Sequence, residues 1–103
     1  MLCMMIMTAP HNKAIDVAKT FLKVVETPPP PYLKSRGVYV TYGDKGHKWY
    51  NIIDIDDKHI SEGITELVRR TVPFHDIEGV KIKTEVLMTA RAAIELGMEL
   101  GII

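Results

Sequence analysis

The sequence predicts a single α+β domain over residues 1–103, with a four-stranded antiparallel sheet and two main helices on one of its faces. Two observations carry this. The apolar period switches between two and about 3.6 residues in the order strand, helix, strand, strand, helix, strand. A short glycine-bounded turn, "GDKG" at residues 43–46, joins the middle two strands as a hairpin.

Residues 2–8, "LCMMIMT", are apolar at both parities and read as a strand covered on both faces, stopped by Pro10. The period then becomes helical in "NKAIDVAKTFLKVVET". Ala14, Val17, Ala18, Phe21, Leu22, Val24 and Val25 form one stripe, and Asn12 is a candidate N-cap. The proline run beginning at Pro28 ends this helix, because proline has no N–H to donate and crowds the preceding turn.

Val38, Val40 and Tyr42 alternate with Tyr39 and Thr41 in the second strand, and the third runs from about His47 to Ile55. "DDKHISEGITELVRRT" is the second helix. Asp56 or Asp57 caps it, Ile60, Ile64, Leu67, Val68 and Thr71 share its apolar face, and Pro73 closes it. "VKIKTEVLM" is the fourth strand, with Lys81, Lys83 and Glu85 on one parity and Ile82 and Val86 on the other. Thr89 caps a short C-terminal helix. This β-α-β-β-α-β order is the split βαβ, or ferredoxin-like, arrangement.

Composition bounds the function. Apolar residues are 47% and charged residues 25%, as in soluble globular proteins rather than disordered ones. Thirteen basic and thirteen acidic side chains cancel, which argues against a general nucleic-acid binder or a polybasic membrane surface. No stretch approaches the roughly 20 apolar residues of a membrane helix. "MLCMMIMTAP" lacks the positive n-region of a signal peptide. Cys3, the lone cysteine, forms no internal disulfide. It suits a reducing cytoplasm and reads as a small buried hydrophobe.

One helical layer covers only one face of the sheet. The strand parity that points away from it carries Tyr39, Tyr50 and Ile52, and a second copy is the simplest cover for that face. On this element order and length the chain resembles the dimeric α+β barrel superfamily. It is also similar to small uncharacterised prokaryotic proteins with a proline-rich connection and a "DIEG"-like turn at residues 76–79. The resemblance implies a homodimer formed through the sheet face. The superfamily holds cofactor-free monooxygenases, isomerases, haem-degrading enzymes and ligand-sensing domains, so the fold alone selects no chemistry. In the haem-degrading group an Asn, a Trp and a His serve the cofactor. Trp49, Asn51 and the histidines do not match its spacing, and those roles are not transferred.

No catalytic or cofactor motif stands out, and no metal site or cofactor is expected. "DIDDKH", residues 54–59, contains metal-ligand types, yet strand-end and N-cap duty explains its carboxylates. "HDIEG", residues 75–79, reads as a polar turn, with His75 the alternative general base. Pro29-Pro30-Pro31-Tyr32 matches the PPxY pattern of WW-domain ligands, but its place between helix and strand favours a stiff spacer, with Tyr32 and Leu33 packing on the core. The candidate ligand-binding residues are Tyr39, Thr41, Trp49, Tyr50, Asn51, His75, Lys83 and Glu85. Simple alternation turns Trp49 and Asn51 toward the helices, and a bulge near Tyr50 or Asn51 would reverse the first half of that strand. Three readings stay open: a homodimeric small-molecule-binding or regulatory protein, a cofactor-independent monooxygenase or isomerase, and a structural or interaction module.

Overall fold

A computed structural model describes residues 1–103. The strands are β1 (Leu2–Ala9), β2 (Leu33–Gly43), β3 (Gly46–Ile55) and β4 (Lys81–Leu87). The helices are α1 (Ala14–Val24), α2 (Ile60–His75) and α3 (Ala90–Glu99). The four strands form one antiparallel sheet in the order β2-β3-β1-β4. The mixed α+β architecture agrees with the sequence expectation.

The register sorts the two faces. Cys3, Met7 and Ala9 of β1 are buried, opposite Ile53, Trp49 and His47 of β3. The helices lie on that face, since Val17 of α1 and Phe74 of α2 share a cluster with Met7 and Ala9. A second cluster joins Cys3, Leu33, Ile53, Ile55 and Leu67. The even residues of β1, Leu2, Met4, Ile6 and Thr8, point to the other face and are only half-buried. No helix covers them.

Several local expectations hold. Asp44 and Lys45 alone separate β2 from β3. The Thr89 hydroxyl accepts from the Ala92 amide at 3.0 Å and caps α3, whereas Asp56, accepting from the Lys58 amide at 3.1 Å, caps a 3-10 turn (Asp57–His59) ahead of α2 and not α2 itself, which starts only at Ile60. Beyond the prolines, Leu33 is buried and the Tyr32 ring stacks on His59 at 4.9 Å.

Others are corrected. Asn12 lies inside a 3-10 turn (His11–Lys13) and caps nothing, because α1 starts only at Ala14. Pro73 does not close α2. The helix continues through it to His75, and burial of Phe74 against Met7 and Val17 accounts for the extra turn. The buried face of α2 is Gly63, Leu67, Thr71 and Phe74, whereas Ile64 and Val68 are exposed. Gly63 causes the rotation. A Cβ there would stand 2.4 Å from Ile55 Cγ2, so only glycine lets the helix approach that closely. The bulge is in β2, not β3. Arg36 and Gly37 together oppose Ile52, and the β1–β3 register runs unbroken. Trp49 and Asn51 therefore face the helices.

Gly63→Ala tests the contact by its sign. In an ordinary helix interior this change stabilises by about 1 kcal/mol. Here it should destabilise in urea unfolding, and combined with Ile55→Ala, which removes the clashing Cγ2, the total loss should be less than the sum of the two single losses, as expected of coupled neighbours. Ile55→Ala alone should cost about 2–5 kcal/mol, since Ile55 is fully buried.

Candidate functional site

Only twelve residues are buried, and their apolar members fall into two clusters at opposite ends of the helix-facing surface. Between them the layers do not close. A cavity of about 240 Å³ lies there, with twelve hydrophobic residues among the seventeen that line it. Its floor is the sheet, with Met5, Met7, Trp49 and Asn51. Its roof is α1, with Phe21 and Val24, and α2, with Thr71 and Phe74. Pro29 also lines it, so the stiff connection fixes the rim where α1 gives way to β2.

The polar groups in this chamber are few and engaged. The Ser35 hydroxyl donates to Asn51 Oδ1 at 2.7 Å. This pair exists because the β2 register places Ser35 beside Ile53 just before the bulge. The Thr71 hydroxyl donates to the Val68 carbonyl at 2.8 Å, and Arg70 donates to the Thr27 carbonyl at 2.8 Å while pairing with Glu66 at 3.3 Å. Arg70 thus ties the end of α1 to α2. The Phe21 and Trp49 rings meet at 5.3 Å. The indole N–H of Trp49, which can only donate, reaches His47 Nδ1 at 2.7 Å, so neutral His47 carries its proton on Nε2. That buried Nε2 has no partner.

The eight residues singled out from sequence separate into three places. Trp49 and Asn51 line the cavity. Tyr39, Thr41, Tyr50, Lys83 and Glu85 lie on the opposite face of the sheet, where Tyr39 pairs with Tyr50 and Lys83 sits 3.2 Å from Glu85. His75 ends α2, exposed, and lines neither place. Sequence reasoning missed Phe21, Ser35, Val38, Arg70 and Thr71 as lining residues. A serine between Leu33 and Val38 on the buried parity was the available signal, but the bulge that restores parity was not visible. The acidic run at residues 54–59 holds structural contacts: Asp54 pairs with Arg36 at 2.7 Å, Asp57 with the Met1 amino group at 2.9 Å, and Asp56 caps the 3-10 turn that precedes α2.

Arg70 is the only ionisable side chain in the cavity lining, so no nucleophile and base face each other there. Cys3 lies outside it, buried in the first cluster.

No protein-family model matches the sequence, and no curated protein matches it. Among solved structures, a DUF3240 family protein from Shewanella baltica is similar over 85% of this chain and 91% of that chain, with a TM-score of 0.35 and 9% identity. No helix is long and apolar enough to cross a membrane.

Burial pushes the Cys3 thiol above its ordinary range, because the thiolate loses its hydration there. Native protein at neutral pH should resist iodoacetamide and react fully once unfolded. Since the folded-state value is raised, the associated stability is present below the ordinary thiol range and is lost as pH rises through the folded-state value. Rapid labelling of the native chain would contradict this burial.

Proposed function

We propose that this protein is a small-molecule-binding or regulatory protein whose ligand occupies the chamber between the sheet and the helices. The observation that carries the reading is an apolar cavity placed between two halves of a small core, with hydrogen-bonding groups at one side. A cavity of about 150 Å³ lined by apolar side chains already accepts a benzene-sized guest. The chamber therefore suits a compact, largely apolar molecule of about one ring. Its polar end would meet Ser35, Asn51 and the Arg70 guanidinium. Few convergent polar groups among apolar walls is the usual composition of such sites.

A ferredoxin-like, dimeric α+β barrel arrangement is part of the same proposal, supported by the uncovered apolar strip of Leu2, Met4, Ile6 and Ile52. A second copy of the chain on that strip is the partner it fits. The buried lone thiol suits a cytoplasmic setting. The enzyme reading, with Tyr50, His75 and the Trp49 region acting together, finds less support, because these three occupy separate places.

Trp49 is the only tryptophan, so its fluorescence reports the chamber directly. Benzyl alcohol should shift and quench Trp49 emission saturably, and Val38→Phe at the half-exposed rim should weaken this. Native mass spectrometry of freshly purified protein should show a retained small molecule. Unchanged emission together with an empty chain would refute the binding reading. Sedimentation velocity addresses the second copy. Wild type should run as a dimer and Met4→Lys with Ile6→Lys as a folded monomer, whereas a monomeric wild type removes the barrel.

A further inference from the structure

The face of the sheet away from the helices is ordered in rows across the strands. The row nearest the β2–β3 turn is Thr41, Lys48, Thr8 and Lys81. The next is Tyr39, Tyr50, Ile6 and Lys83. Beyond it the face turns apolar, with Ile52 and Met4 beside Glu85. The first row floors an open depression of about 760 Å³, walled by the turn glycines Gly43 and Gly46, by Lys45 and by Gly79. Only two of its thirteen lining residues are hydrophobic, the reverse of the chamber on the other face.

Its charge is unbalanced although the whole chain is neutral. Lys45, Lys48 and Lys81 line it against one carboxylate, Asp44. None of the three lysines takes part in an ion pair, while Lys83 in the next row is paired with Glu85. β3 and β4 flank β1, so Lys48 and Lys81 start about 9–10 Å apart with the Thr8 hydroxyl between them. Flexible four-carbon stems let both ammonium groups reach one object above Thr8. The Lys48 ammonium is held 5.6 Å from the centre of the Tyr50 ring, over the inner edge of the depression. A monovalent carboxylate would leave this set overcharged. A multiply charged oxyanion with several acceptor oxygens matches three ammonium groups and two hydroxyls.

We propose that this depression binds the phosphate group of a small phosphorylated molecule. Lys48 and Lys81 clamp the phosphate, Lys45 approaches from the turn, and Thr8 and Thr41 donate hydroxyl hydrogen bonds. The site lies across the sheet from the apolar chamber and is independent of its occupancy. It is also at the other end of the face from the apolar rows proposed to meet a second copy.

Pyrophosphate and inorganic phosphate, titrated at low ionic strength and followed by calorimetry and amide NMR shifts, test the site. Saturable binding is expected, pyrophosphate the tighter, with shifts centred on Thr8, Thr41, Gly46, Lys48, Gly79 and Lys81. Acetate at matched ionic strength should give neither. Lys48→Gln and Lys81→Gln should each weaken pyrophosphate binding about tenfold. Lys45→Gln, in the exposed turn and harmless to the sheet, should weaken it less, and Lys23→Gln on α1 should leave it unchanged. No saturable binding overturns the proposal. So does an equal response to acetate, or pyrophosphate affinity that survives Lys48→Gln with Lys81→Gln. Loss of the benzyl alcohol response in Trp49 would leave these outcomes unaffected, so the two sites fail separately.

Discussion

β1 is paired along both edges, in register with β3 over all eight of its residues and with β4 over seven, its backbone groups bonding to the two neighbours alternately. That double pairing is the constraint on which the other elements depend. It places both helical crossovers, because α1 must pass from the end of β1 over the sheet to β2, and α2 from β3 to β4. It also fixes side-chain parity on three strands at once. A slip of one residue would carry Cys3, Met7 and Ala9 to the open face and Met4 and Ile6 under the helices. The methionines soften the arrangement, since unbranched thioethers fill irregular gaps that branched side chains leave empty.

The sheet thereby separates two environments only one layer apart. One side holds an apolar chamber with a single charged lining residue, and the other a basic depression grading through tyrosines into apolar rows. Low dielectric strengthens the part-buried Trp49–His47 hydrogen bond, whereas the Ser35–Asn51 pair lies at the exposed rim and the lysines keep their water until something displaces it. The close approach of Gly63 to Ile55 contributes at a distance, by pinning the first turn of α2 to the sheet. With the opposite end held by Phe74, the helix bridges the space between two anchored points and leaves room beneath its middle.

Element order, the hairpin turn and the Thr89 cap were legible because each rests on local chemistry: period, glycine placement and short polar side chains. The parity of Trp49 and Asn51 was legible from alternation as well. The errors arose where tertiary packing overruled local preference. Ile64 and Val68 looked like core by periodicity, but a glycine at 63 offered a closer fit than any side chain could, and the helix turned to use it. Pro73 looked like a stop because the burial of the residue after it could not be seen. The site was less legible than the fold. Its lining comes from all four strands and both main helices, and its polar members are Ser, Asn, Thr and Arg at unremarkable spacings.

The bulge at Arg36 and Gly37 has a meaning beyond the placing of Ser35. β2 is an outer strand of eleven residues carrying two tyrosines and two valines, long enough to template another chain along its free hydrogen-bonding groups. The extra residue breaks that edge into two short pieces and increases the local twist. Arg36, tethered to Asp54, puts a charge at the break. The irregularity that helps shape the apolar chamber on one side of β2 also protects its outer margin from sheet-extending aggregation.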